Sequence, residues 1–258
     1  MSITEHTPIS ACVITLNEAD RIDACLRSLA FCDEIILVDS GSSDDTRERA
    51  AALGARVLVR KFDGYRSQKD FAVRSASHDW VLCLDADERV SEPLRRSIEA
   101  ARSAKFAAAA GYRFPRATEY FGQVLRHGNA YPDRVLRLFD RRRGGWRGDR
   151  EIHEHVSVDG AVSTLHGDLD HQAYRCLSDQ LRRLDRYAEW MARHQHAKGR
   201  RAHVWNILLN PFWRCLRGYV LRAGFLDGWR GLIYAYVEAN YVRQKFIKLW
   251  LLNHGYEI

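Results

Sequence analysis

The sequence predicts an α/β fold in which a mostly parallel, Rossmann-like central sheet is flanked by helices, with a helical, basic amphipathic appendage at the C-terminus. Two observations predict the sheet. Short apolar runs alternate with helical patterns over residues 9–104, and each run ends in a polar or acidic cluster. A third predicts the appendage: from Arg175 onward there are 15 Lys and Arg against 6 Asp and Glu, although the whole chain carries only +7.

Ile9 to Leu16 (ISACVITL) is a continuous apolar run of strand length, followed by Asn17-Glu18 and a helix that puts Ile22, Leu26 and Leu29 on one face. Glu34 to Val38 makes a second strand. It ends in Asp39-Ser40-Gly41-Ser42-Ser43-Asp44-Asp45-Thr46, which suits a turn into a capped helix from about Asp44 to Leu53. Ala55 to Val59 is a third strand, followed by a helix near Tyr65 to Ser75. Trp80 to Leu84 is a fourth, and it runs into Asp85-Ala86-Asp87-Glu88 ahead of a helix near Glu92 to Ala104. Apolar strands separated by helices imply a parallel sheet covered on both faces, and such sheets bind ligands beyond the carboxyl ends of their strands. The clusters at Thr15–Glu18, Asp39–Ser42 and Asp85–Asp87 therefore converge on one crevice.

Gly111 to Val158 reads as irregular strands and turns, with Arg113, Arg116, Arg126, Arg134 and Arg137 set to hold a second substrate. The domains expected are residues 1–175, split into a nucleotide-binding half (1–104) and an acceptor half (105–175), and a helical region, 176–258. In that region Pro211, Gly224 and Gly228 are expected to break the helices. From Pro211 to Ala223 a helical wheel puts Phe212, Leu216, Tyr219, Val220 and Ala223 on one side and Arg214, Arg217 and Arg222 on the other. This face either packs on the catalytic part, joins two copies, or meets an anionic membrane, and Trp205, Trp213, Trp229 and Trp250 interleaved with basic residues suit the last.

Composition bounds the function. At 258 residues and 46% hydrophobic, the chain can bury a sizeable core. Six cysteines without Cys-x-x-Cys spacing read as reduced thiols of a cytosolic protein. The opening MSITEHTPIS has no basic region ahead of an apolar core, so a signal peptide is not expected, and no uncharged apolar stretch is long enough for a spanning helix. G-x-G-x-x-G and G-x-x-x-x-G-K-[ST] are both absent, which argues against a dinucleotide fingerprint and a P-loop.

Asp85-x-Asp87 alone is either a surface turn or a carboxylate pair for a hard cation; Mg²⁺ characteristically takes one or two carboxylates plus substrate phosphates. Asp39 either complements a helix start or accepts hydrogen bonds from a nucleotide, with Asn17 and Glu18 on the neighbouring strand end. Gln68 and Lys69 could reach phosphate from a helix or lie on a solvated face. In Ile152-His153-Glu154-His155-Val156, strand alternation sends the two histidines to one face and Glu154 to the other. A zinc site lacks further ligands at the usual spacing, and Glu154 is the better candidate, as a base. His171 is a metal or diphosphate contact or a surface residue.

Together, Ile14-Thr15-Leu16-Asn17-Glu18, Val38-Asp39-Ser40-Gly41-Ser42-Ser43-Asp44, Gln68-Lys69 and Asp79–Glu88 resemble glycosyltransferase family 2. More narrowly, with Ile152-His153-Glu154 and Gly224-Phe225-Leu226-Asp227-Gly228, the chain resembles the lipopolysaccharide-core β-1,4-glucosyltransferases of Gram-negative bacteria. The resemblance implies a GT-A fold, inversion, a UDP-sugar donor, and Mg²⁺ or Mn²⁺. It assigns uracil to Asp39, the ribose side to Asp85, metal to Asp87 and the base to Glu154; His171, read from its own position, is taken beside Asp87 as a further metal contact. Thr15, Asn17, Glu18, Gly41, Ser42, Gln68, Lys69 and Ala86 complete the nucleotide-sugar site. The acceptor expected is a lipid-anchored saccharide such as lipopolysaccharide inner core, reached from the cytoplasmic face of the inner membrane. The alternatives are a polyprenyl phosphate, capsular saccharide or peptide acceptor, a sugar-nucleotide sensor without activity, and a basic protein that binds nucleic acid. The last leaves the strand-end acids unexplained.

Overall fold

The computed structural model describes residues 6–148 and 154–258. The chain begins with β1 (Ile9–Thr15), α1 (Ile22–Ser28), β2 (Glu34–Asp39), α2 (Thr46–Ala52), β3 (Arg56–Val59), α3 (Tyr65–Arg74) and β4 (Trp80–Asp85). A tight turn at Ala86-Asp87 leads to β5 (Glu88–Val90) and α4 (Glu92–Ser103). Next come β6 (Gly111–Tyr120), β7 (Gln123–Val124), β8 (Asp133–Asp140), β9 (Gly144–Arg147), β10 (His155–Val158), β11 (Val162–Thr164) and β12 (Leu169–His171). The rest is helical: α5 (Leu177–Ala197), α6 (Val204–Leu216), turns at Arg217–Leu221 and Gly224–Asp227, and α7 (Gly228–Asn253).

The main sheet runs β3-β2-β1-β4-β8-β6-β12-β5. Its first four strands are parallel, and β8 then lies antiparallel to β4, with Leu82 opposite Leu138. The parallel half follows from the apolar runs. Alternate residues of β1 go to opposite faces, Ile9, Ala11 and Val13 meeting α1 and α4, and Cys12 and Ile14 meeting α3. The sheet is thus buried on both sides, and polar clusters gather at and beyond the ends of its strands, Ser10, Glu34 and Ser77 at one end and the loops after β1, β2 and β4 at the other.

Two compact units divide the chain, one of residues 1–116 and 133–171, the other of 117–132 and 172–258. The first holds the sheet and α1 to α4. In the second, Tyr120, Leu125 and Ala130 pack with Ile233 and Tyr234 of α7, and the Tyr120 hydroxyl donates to Gln180 Oε1 at 2.7 Å. No helix of the described residues is long and apolar enough to cross a membrane.

Two expectations for the C-terminal part need correction. Pro211 does not break a helix but lies inside α6, which starts at Val204. Proline removes one backbone bond there, and its ring is buried. The helical wheel was also misjudged: Leu216, Tyr219 and Ala223 are half-buried while Phe212 and Val220 are exposed. A wheel begun at Pro211 omits the first seven residues of α6, and the backbone leaves α-helical geometry after Leu216.

Helix α4 is stapled to the sheet through its first turn. Ser91 Oγ accepts from Leu94 N at 3.4 Å and from Asp168 N at 3.2 Å. Ser91→Ala removes both bonds and is expected to cost about 1 kcal/mol, read as a lower urea midpoint; an unchanged midpoint would remove this role.

Candidate functional site

The loops after β1 and β2 are tied together by side chains. Asn17, at φ 55°, donates its N–H to Ser42 Oγ at 2.9 Å, while its Oδ1 accepts from Ser43 N at 2.8 Å. Asparagine tolerates this left-handed conformation better than other non-glycine residues. Glu18 N donates to Thr46 Oγ1 at 2.9 Å. Asp39 is fully buried; its Oδ1 accepts from Gly41 N at 2.9 Å and Ser42 N at 2.8 Å, and Oδ2 accepts the Ser42 hydroxyl. Gly41 sits at φ 99°, which lets the backbone turn back on that carboxylate. Thr15 O accepts from Ser40 N at 3.0 Å, while the Thr15 hydroxyl is buried without a hydrogen-bond partner. Gln68 of α3 is likewise buried, donating to Ser40 Oγ and Arg60 O, both at 3.0 Å, with Oε1 left unpartnered. In this state Gln68 supports the turn after β2.

The second cluster is built on Asp85, the last residue of β4. Ala86 N is anchored on Ile14 O at 3.2 Å, which fixes the turn against β1. The Lys69 ammonium, on the buried side of α3, lies 3.1 Å from Asp85 Oδ1 and 3.2 Å from Glu154 Oε1, and 4.7 Å from the centre of the Trp146 ring. Arg137 of β8 reaches Asp85 Oδ2 and Glu88 Oε1, each at 3.2 Å, with its guanidinium carbon 5.3 Å from the centre of the same ring. Glu88 is fully buried; its Oε2 accepts the Asp85 N–H at 2.9 Å, and Arg116 adds a contact of 3.3 Å to Oε1. Burial would push the Asp85 carboxyl up, but Lys69 and then Arg137 hold it well below the usual carboxylate range. Asp85 and Glu88 are thus charge-compensated from within the protein.

Asp87 is not compensated in the same way. Its Oδ2 lies 3.9 Å from Arg21 Nη1 and 3.7 Å from His171 Nε2, both longer than hydrogen bonds. The His171 Nδ1 atom is buried without a hydrogen-bond partner. Among the described residues no group of three or more His, Cys, Asp or Glu is placed to hold a metal. A hard cation takes one or two carboxylates and completes its shell with substrate oxygens, and Asp87 can supply one such carboxylate, with His171 Nε2 3.7 Å from it. His153, the second histidine weighed for zinc, lies outside the described residues.

The structure brings Lys69, Asp85, Ala86, Asp87, Glu154 and His171 to the end of β4, and Thr15, Asn17, Glu18, Asp39, Gly41, Ser42 and Gln68 to the neighbouring strand ends. Lys69 faces carboxylates where phosphate was expected. Arg116 and Arg137, expected for a second substrate, hold Glu88 and Asp85. Glu88, Trp146 and Arg21 were not anticipated. The strand alternation of Glu88-Arg89-Val90, buried at both ends, is the one signal that could have found Glu88.

A family model, glycosyl transferase family 2, matches residues 10–157, more than half of the chain. The chain belongs to glycosyltransferase family 2. It is 29% identical over 256 residues to the lipopolysaccharide core biosynthesis glycosyltransferase LpsC of Rhizobium meliloti, covering 92% of this chain and 93% of that protein. An uncharacterized glycosyltransferase of Rickettsia prowazekii, RP128, is 27% identical over 87% of this chain and 80% of its own. Among solved structures, the mannosyltransferase PcManGT from Pyrobaculum calidifontis, in complex with GDP-Man and Mn²⁺, matches 95% of this chain and 88% of its own with a TM-score of 0.53. At 16% identity that likeness is one of fold, and it is the GT-A fold expected from the sequence, with its helical C-terminal region.

Proposed function

We propose that this glycosyltransferase moves a hexose, glucose by the resemblance of its sequence, from a UDP-sugar to a lipid-anchored saccharide such as lipopolysaccharide inner core, with inversion and with the help of Mg²⁺ or Mn²⁺. It works at the periphery of the inner membrane, on the cytoplasmic face. The observation that carries this reading is the meeting of Asp85 and Glu154 on one buried ammonium, that of Lys69. It puts a candidate base beside the strand end whose acids suit a nucleotide diphosphate. The likeness to LpsC, a protein named for lipopolysaccharide core biosynthesis, supports the acceptor.

In this mechanism Asp39 recognises uracil and Asp85 the ribose side. Asp87 and His171 hold the divalent cation, which when bound offsets the charge of the departing diphosphate. Glu154 accepts the proton of the acceptor hydroxyl as its oxygen forms the bond to the anomeric carbon. The bond from that carbon to the diphosphate oxygen breaks on the opposite face, and its electron pair leaves with UDP. Lys69 keeps Glu154 in place through its 3.2 Å contact to Oε1.

Following UDP release from UDP-glucose, in the presence of a lipid-anchored saccharide and with and without chelator, tests the reading. Chelation is expected to abolish release, and Mg²⁺ or Mn²⁺ to restore it. Full release in chelator would remove the metal, and failure of every UDP-hexose would remove the donor.

A further inference from the structure

Helix α6 is inside out. Its inward arc carries Asn206, Asn210 and Arg214 beside Ile207 and buried Pro211, and Arg214 pairs with Glu238 of α7. Its outward arc carries Trp205, Leu208, Leu209, Phe212 and Trp213, every one exposed, Trp205 by 69% and Phe212 by 65%. These positions follow the i, i+3, i+4, i+7 spacing of an apolar helix face. A water-facing helix has the opposite arrangement. Further along, Leu221 and Leu226 are exposed as well. More than half of the large exposed apolar side chains among the described residues fall between Val204 and Tyr236. Surface of this kind marks a contact with another phase or partner.

Charge decides which. Between Glu189 and Asp227 there is no acidic residue, while Arg200, Arg201, Arg217 and Arg222 are exposed at either end of the helix. A second copy meeting this face would bring like charges together, whereas an anionic lipid surface neutralises them. Two tryptophans beside leucine and phenylalanine, with arginines at the edges, match the chemistry of the boundary between headgroups and acyl chains. We propose that the outward face of α6 is a membrane-docking surface, which lies in the plane of an anionic bilayer with Trp205, Leu208, Leu209, Phe212 and Trp213 inserted. It gives a definite surface to the lipid-anchored acceptor reading and rests on that reading only for its purpose.

The test separates the two. The full chain is sedimented with vesicles of phosphatidylcholine alone and of phosphatidylcholine with phosphatidylglycerol, neither containing any saccharide. The protein is expected to bind the anionic vesicles, to bind neutral ones weakly, and to lose affinity as salt rises. The double variant Leu208→Gln/Phe212→Gln is expected to bind about 100-fold less, roughly tenfold for each side chain withdrawn from the interface. Both residues are exposed, so an unchanged thermal midpoint shows that the fold is kept. UDP release with a water-soluble saccharide acceptor stays unchanged in the variant. If that release is absent from both proteins while vesicle binding follows the pattern above, the catalytic reading fails and the docking surface stands. Absence of binding to either vesicle, or equal binding by the variant, overturns the proposal. So does a wild-type dimer that ignores vesicles and that the variant dissociates, because it assigns the face to a second copy.

Discussion

Glu154→Gln is expected to lower turnover by about 10²–10⁴-fold while leaving UDP affinity within a few-fold. The amide is isosteric with the carboxylate and can still accept from Lys69 Nζ, which lies 3.2 Å from Glu154 Oε1. It cannot take up the proton of an attacking hydroxyl. Loss of turnover without loss of binding is the mark of a group that acts in the transition state. Transfer rates with saturating donor and calorimetric titration with UDP separate the two quantities. Equal losses in both would make Glu154 a part of the donor site, and no loss in either would remove it from the reaction. Lys69 has a different signature. Lys69→Met leaves the Asp85 and Glu154 carboxylates without the ammonium between them, so binding and turnover should both suffer.

The parallel half of the sheet was legible because each strand is a single apolar run, and burial on both faces needs nothing else. Its strand-end loops were legible for the same reason, since a polar cluster such as Asp39-Ser40-Gly41-Ser42 has to lie at or beyond the end of a strand buried on both faces. What the sequence hides is pairing across distance. Glu88 meets Arg137 only because β5 and β8 are both brought to the end of β4, and nothing in either segment announces the partner. Lys69 was assigned to phosphate because a lysine near a diphosphate site suggests it; only the fold reveals the two carboxylates it faces. The direction of the apolar face near α6 was left open by the sequence for another reason. A helical wheel finds an apolar stripe but is silent on which way the stripe faces, and here it faces solvent.

Arg137→Met is expected to cost about 3–5 kcal/mol of stability, the largest loss foreseen for a single side chain in the site. Methionine fills much of the space of the arginine stem but leaves Glu88, fully buried, with Arg116 at 3.3 Å as its cation and the Asp85 N–H as its donor, and leaves Asp85 with the Lys69 ammonium. Urea denaturation at neutral pH measures the loss, and Arg137→Met/Glu88→Gln should recover part of it, because the second change removes one of the stranded charges. The effect should also depend on pH. Asp85 is held below its ordinary value in the folded protein, so its contribution is present above the unfolded value and is lost as pH falls through the folded one. Without Arg137 the folded value rises toward the unfolded one and there is less to lose. The gap between wild type and variant should therefore narrow as pH is lowered below about 4. A gap that stays constant with pH would mean that Arg137 stabilises the fold by packing on Trp146 and not through its charge.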